Sequence, residues 1–275
     1  MKLTKALPVL AIALCVPGIV LRALHLLNGF DLASGLPTVG DRWVWYCAAF
    51  FVLCAVLYAV LAAPLRARSG TLFEGLLGTD APLFRMLAAA AGLLLIAGGL
   101  IYLYLTMTTA EQDAAGWARI LEIVYAVATV GAGAALVILA PAQGREMTAA
   151  SAKLTLAPLL WCCLHLLVTY RMTCIDPKLP SFAFGLVADV VLVMAFYHLA
   201  RLLYGKPRPA MLGFFGALAV TMSFSDLGGY GLARLMGVHA VSWSAKMVLR
   251  GGLSAAACLL LAAELGVLAA RRTEQ

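Results

Sequence analysis

The sequence predicts an all-α fold, a polytopic bundle of about eight transmembrane helices with both termini in the cytoplasm. The amino-acid composition indicates a membrane protein. Of the 275 residues 64% are hydrophobic and only 12% are charged, and the mean hydropathy is +0.97, whereas soluble domains carry about 25% charged residues. Eight apolar stretches separated by short polar connections give the architecture. We therefore expect a multi-pass protein whose main surroundings are the lipid bilayer.

Each apolar stretch is long enough to cross a membrane, since a hydrocarbon core of roughly 30 Å needs about 20 helical residues. The stretches are continuous and lack period-two alternation, so they predict helices rather than barrel strands. The predicted spans form one transmembrane domain over residues 1–275 and cover residues 6–27, 43–63, 84–107, 117–140, 153–173, 181–204, 211–236 and 241–270. The last span could begin anywhere from Val241 to Met247.

The first apolar stretch follows a basic segment and resembles a signal peptide in that respect. A lipoprotein signal would need a small residue immediately before Cys15, and Leu14 stands there instead. No small-x-small cleavage site precedes Arg22 either. We expect an uncleaved first helix.

The distribution of Lys and Arg predicts the orientation. A cytoplasmic N-terminus places twelve of the twenty basic residues inside: Lys2, Lys5, Arg66, Arg68, Arg85, Arg145, Lys153, Arg201, Lys206, Arg208, Arg271 and Arg272. The outer loops are then acidic, with Asp31, Asp41, Glu111, Asp113 and Asp176. The net charge of +7 is accounted for by attraction to the inner leaflet and requires no nucleic-acid partner.

Ionisable side chains inside the spans mark the candidate site, because each costs about 2.5 to 3.5 kcal/mol on insertion scales and usually faces the bundle interior or water. In this chain they fall at similar depth, in the outer half of the predicted bundle. The candidate ligand-binding residues are Arg22, His25, Arg119, Glu122, Arg171, Asp189, Asp226, Arg234, Lys246 and Arg250. Six of them are cations and only three are anions, so an anionic ligand is one way to balance the excess. The alternative is that these charges pair and snorkel, and so fix helix packing only.

Two further patterns refine the location of the site. Residues 221–231 combine hydroxyls, Asp226 and three glycines, which indicates either close helix packing or a broken helix that exposes backbone groups to a ligand. His165 lies near the middle of the fifth span. It is expected to be a hydrogen-bonded packing residue or, alternatively, part of a relay with Asp189.

A short segment near the N-terminus carries a resemblance. Arg22, then Phe30-Asp31, then Ser34-Gly35-Leu36-Pro37 resembles a pattern in uncharacterised multi-pass membrane proteins of Gram-positive anaerobic bacteria. The resemblance implies a bacterial cytoplasmic membrane. It implies no catalytic residue and no substrate.

Three functions stay open at this point. The first is a small secondary transporter or permease with an outward-facing cationic cavity for an anionic or zwitterionic solute. The second is a non-catalytic membrane subunit or sensor that docks a membrane protein partner, and the third is a lipid-modifying intramembrane enzyme that uses Asp189, Asp226 or His165. A lipid headgroup is the alternative to a small solute as the anion in the cavity. No phosphate loop, HExxH, GxSxG or metal-spaced acid cluster occurs, so we assign no cofactor, no metal and no catalytic residue.

Overall fold

The structure, a computed structural model, describes residues 2–31, 34, 36–109, 116–144, 148–173, 179–204, 207–237 and 243–270. Several residues used in the predictions lie outside these ranges: Gly35, Glu111, Asp113, Arg145, Asp176, Lys206, Val241, Arg271 and Arg272.

The described chain is helical throughout, with one isolated bridge between Phe30 and Pro37. Its α-helices are α1 (Lys2–Ala13), α2 (Cys15–Asn28), α3 (Trp43–Ala62), α4 (Phe73–Leu77), α5 (Pro82–Thr108), α6 (Gly116–Ala142), α7 (Ala149–Leu154), α8 (Leu156–Thr173), α9 (Leu179–Tyr204), α10 (Pro209–Leu235) and α11 (Ala245–Ala270), and a 3-10 helix (Ala63–Arg68) follows α3. Within the described ranges, eight segments are long and apolar enough to cross a membrane. The predicted all-α bundle is confirmed, and the chain is a multi-pass integral membrane protein.

Two of the eight spans are broken by proline. The first combines α1 and α2, and the fifth combines α7 and α8. Because proline has no N–H, Pro17 cannot bond to the carbonyl of Ala13 and Pro158 cannot bond to that of Leu154. Ala13 and Leu154 are the last residues of α1 and α7, so each break lies where the hydrogen bond is missing.

The helix α10 lies at the centre of the bundle. It packs against α2, α3, α9 and α11, and α10 and α11 are the most buried of the eight spans. Small residues permit these close approaches. Gly18 of α2 lies directly against Ser225 of α10, and Gly229 of α10 lies against Arg22 of α2. The central helix that supplies Asp226 is therefore held on several sides.

The buried polar side chains are concentrated at one end of the bundle, the end at which α2 finishes at Asn28. We call it the Asn28 end. The start of α6, the first half of α9, the end of α10 and the start of α11 lie at this same end. The opposite end is covered by α4, whose Phe73, Leu76 and Leu77 are buried in the main apolar core.

Candidate functional site

A small cavity lies at the Asn28 end, between α8, α9, α10 and α11. Its volume is about 60 Å³, which accommodates about four waters at 10 to 15 Å³ each and is far below the 300 to 1,000 Å³ of a drug-sized site. Eight of its lining residues carry a polar or charged group: His165, Thr169, Asp189, Ser223, Asp226, Trp243, Arg250 and Ser254 line it, together with Gly185, Ala188, Leu227, Met247 and Gly251. The cavity therefore fits a solute of a few atoms.

Arg250 is the cation of this cavity. It lies in the second turn of α11, its exposure is 4%, and its Nε and Nη1 atoms have no hydrogen-bond partner among the described residues. The same holds for the Trp243 indole nitrogen and the Ser223 hydroxyl, two further potential donors on the lining. Buried polar groups in proteins are nearly always paired. Several donors on the residues that line this cavity are therefore left without an acceptor among the described residues.

His165 joins two sides of the cavity through hydrogen bonds. It is 1% exposed, and its Nδ1 lies 2.7 Å from the hydroxyl of Tyr125 on α6. Its Nε2 lies 2.9 Å from Ser254 Oγ and 3.4 Å from Asp189 Oδ1. Ser254 in turn donates to Asp189 over 3.2 Å. These hydroxyl, imidazole and carboxylate groups form one continuous hydrogen-bonded chain. Three of its members, His165, Asp189 and Ser254, line the cavity.

The same contacts exclude a nucleophilic triad built from these residues. In a triad the nucleophile and the carboxylate bind opposite nitrogens of the imidazole. Here Ser254 and Asp189 both approach Nε2, while Nδ1 faces Tyr125. The arrangement is suited to holding a proton, not to activating a serine.

Arg22 and Asp226 close the cavity on the α2 side. Arg22 is fully buried, and its Nε donates to Asp226 Oδ1 over 2.9 Å. Its Nη1 lies 2.8 Å from Nδ1 of His25, and its guanidinium stacks on Phe184 at 5.0 Å. His25 Nε2 lies 3.8 Å from Asp41. Arg22 is thus fully engaged by the protein, unlike Arg250.

Glu122 and Lys246 form a separate buried pair. Lys246 Nζ lies 2.7 Å from Glu122 Oε2, and Thr106 of α5 donates to the same oxygen over 3.3 Å. Neither residue lines the cavity. This pair ties α5, α6 and α11 together and leaves no charge of its own to be balanced by a ligand.

The remaining three predicted cations lie elsewhere. Arg119 is exposed and donates to the carbonyl of Met107 over 3.4 Å, and Arg234 is exposed near the end of α10. Arg171 is half-buried and stacks on Trp117 at 4.5 Å. None of the three lines the cavity. The expected shared space therefore contains Asp189, Asp226 and Arg250, with Arg22 and His25 behind Asp226.

The charge count changes as a result. The expected excess of six cations over three anions does not hold for the buried set at this end. Among the described residues, the buried or nearly buried cations there are Arg22, Lys246 and Arg250, and the anions are Asp41, Glu122, Asp189 and Asp226. The buried cations therefore do not outnumber the anions, and at the cavity itself Arg22 and Arg250 are matched by Asp189 and Asp226.

Sequence reasoning missed three participants. Tyr125 lies one turn after Glu122 on α6, and its aromatic ring looked like an apolar packing residue. Trp243 precedes α11 and stacks on Tyr230 at 4.2 Å. Ser223 had been noted only as one hydroxyl among several. The four-residue spacing of Ser254 behind Arg250 is a sequence signal that places both on one face of α11.

Comparison with known proteins adds no identity. No protein-family model matches the sequence, and no curated protein and no solved structure is significantly similar to it. The function has to be argued from the site.

Proposed function

We propose that this protein is a small secondary transporter or permease that binds an anionic or zwitterionic solute in the cavity at the Asn28 end. The observation that supports this is Arg250, a buried guanidinium that lines the cavity and has two N–H groups without a hydrogen-bond partner among the described residues. A buried charge is costly unless it is paired and hydrogen-bonded. A carboxylate or phosphate supplies acceptors for these N–H groups, and the planar guanidinium matches it with two parallel hydrogen bonds.

The size and polarity of the cavity restrict the class of solute that it can bind. At about 60 Å³ it excludes a phospholipid headgroup in favour of a solute of a few atoms. Trp243 and Ser223 can donate to the same anionic oxygens as Arg250. Asp189 and Asp226 can accept from an ammonium group. A small carboxylate or a small amino acid therefore fits the chemistry of this lining.

The setting that we propose is a bacterial cytoplasmic membrane, with both termini inside and the Asn28 end outside. The short resemblance near Arg22 supports the bacterial membrane. The position of twelve of the twenty basic residues supports the orientation. With that orientation the cavity faces outward, beneath loops that carry Asp31 and Asp41.

Equilibrium binding to Arg250→Gln tests this function. The probes are formate, glycine and inorganic phosphate, measured by titration calorimetry on purified protein in detergent. Loss of two charge-assisted hydrogen bonds should weaken binding by about 100-fold or more, at 1.5 to 3 kcal/mol per bond. Arg250→Lys keeps the positive charge but loses the planar guanidinium. Its affinity for each probe should therefore lie between those of Arg250→Gln and the wild type.

A matched control is Arg234→Gln, which removes an exposed cation at the same end of the bundle. It should bind all probes as the wild type does. A wild-type protein that binds none of the three probes would overturn the proposed transporter function.

The second candidate function is a non-catalytic membrane subunit. The observation that favours it is the pairing of four buried charges, Arg22 with Asp226 and Lys246 with Glu122. Such pairs fix helix packing without a ligand. Unfolding of Arg250→Gln, together with a wild type that binds no probe, would make this the better account.

A further inference from the structure

We propose that a monoanion enters this cavity together with one proton, which is held by His165, whereas a zwitterion enters without one. The inference depends on the proposed solute site and adds proton coupling to it. It makes the protein a proton–anion symporter for small carboxylates. Charge balance, the contacts of His165 and the size of the cavity carry the argument.

Charge balance comes first. Among the described residues that line the cavity or contact its lining, Arg22 and Arg250 are cations and Asp189 and Asp226 are anions. The empty site is therefore neutral when His165 is neutral. A monoanion alone would leave one uncompensated negative charge in a region of low dielectric, which is unfavourable. One added proton restores neutrality, and a zwitterion such as glycine preserves it unaided.

His165 is the group best placed to take that proton. Histidine is the side chain whose charge changes near neutral pH, and this one lies on the cavity between Asp189 and Tyr125. The titratable and charged side chains that surround it or its neighbour Asp189 are Tyr125 of α6, Cys162 of α8, Asp189 of α9, Asp226 of α10, and Arg250 and Cys258 of α11. Asp189 accepts a hydrogen bond from Ser254 and faces the imidazole directly.

The hydrogen bonds accommodate both protonation states. In the neutral state Tyr125 can donate to Nδ1, Nε2–H can donate to Ser254, and Ser254 donates to Asp189. A hydronium ion from the bulk solution then transfers its proton to Nδ1: one O–H bond of the hydronium breaks, one N–H bond forms, and a neutral water molecule is left. The Tyr125 hydroxyl reverses its role and accepts from the new N–H, which a hydroxyl can do. Neither state leaves a ring nitrogen unpaired.

Titration calorimetry of the wild type in two buffers of different ionisation enthalpy measures the coupling. Formate binding should take up about one proton per anion, and its affinity should rise about tenfold for each unit that the pH falls between about pH 8 and pH 6. Glycine should bind with no proton uptake and with an affinity that does not change over the same range. Formate binding without proton uptake would overturn the coupling.

Three variants locate the proton. His165→Gln should bind formate without proton uptake and without pH dependence, whereas His198→Gln should keep both. His198 is an equally buried histidine that stacks on Phe215 away from the cavity. Tyr125→Phe keeps the imidazole but removes the acceptor of the new N–H, so it should take up less than one proton per formate. Proton uptake that survives in a folded His165→Gln variant would overturn the assignment to His165.

The two proposals can fail separately. If the wild type binds neither formate nor glycine, the solute site itself is wrong. If formate binds and carries no proton, only the coupling is wrong. Should His165→Gln not fold, the two-buffer measurement on the wild type still decides whether a proton is taken up.

Discussion

At the scale of single residues, the buried charges differ in how completely the protein satisfies them. Arg22 has a carboxylate, an imidazole and an aromatic ring as neighbours. Lys246 has a carboxylate at 2.7 Å. Arg250 is equally buried, yet two of its nitrogens are unpaired. Because an unpaired buried group costs stability, Arg250 is the residue whose position a ligand explains.

The Lys246–Glu122 pair yields a stability prediction. Lys246→Met leaves Glu122 as an unpaired carboxylate inside the bundle, which should lower the free energy of unfolding by about 3 to 5 kcal/mol. Adding Glu122→Gln removes the stranded charge while keeping a side chain of the same shape beside Thr106, so the double variant should recover most of the loss. Unfolding followed by circular dichroism in detergent measures both. Lys153→Met, at an exposed lysine of α7, is the control. A double variant no more stable than Lys246→Met would contradict the pairing.

At the scale of helices, glycine residues allow neighbouring helices to approach each other closely. The helices α5 and α6 meet where Gly92 and Gly133 face each other. A Cβ at Gly133 would lie 2.5 Å from the carbonyl oxygen of Gly92, and a Cβ at Gly92 would lie 2.7 Å from that of Gly133. Backbone atoms cannot move aside as side-chain ends do, so these two positions hold the helices at short distance.

Gly133→Ala should therefore separate α5 from α6. Overpacking of this kind costs about 1 to 3 kcal/mol, and a lower melting temperature in detergent would report it. Gly131→Ala is the matched control, because a Cβ there meets no atom within 4 Å and alanine favours the helix. Equal melting temperatures for the two variants would show that the contact is not tight.

The spans and their breaks could be read from the sequence, but the rotation of each helix about its axis could not. Apolar length is a local property, and lipid requires it of every span. Arg119 and Glu122 illustrate the limit. The two residues are three positions apart and so lie about 60° apart around a helix. This spacing predicts that both lie on one polar face. In the structure Glu122 is buried against Lys246, whereas Arg119 is exposed. The position of a residue along its span predicts at which end of the bundle it lies, but only tertiary packing decides which side chains meet there.

At the scale of the whole molecule, the asymmetry between the two ends determines what the cavity can do. The opposite end carries α4, the buried Arg68 and Glu264 and a separate cavity of about 910 Å³, whereas the cavity around Arg250 lies at the Asn28 end. A solute that binds there exchanges first with the compartment on the Asn28 side. Orientation in the membrane therefore fixes the direction from which solute and proton arrive.

That orientation is tested with two single cysteines. Ser34 and Ser69 are both exposed, and they lie at opposite ends of the second span. In a variant whose seven native cysteines are replaced, Ser34→Cys should react with a membrane-impermeant maleimide on intact cells, because the basic residues place Ser69 inside. Ser69→Cys should react only after the membrane is permeabilised, and both should react equally in detergent. Labelling of Ser69→Cys on intact cells, with Ser34→Cys protected, would invert the topology and turn the cavity toward the cytoplasm.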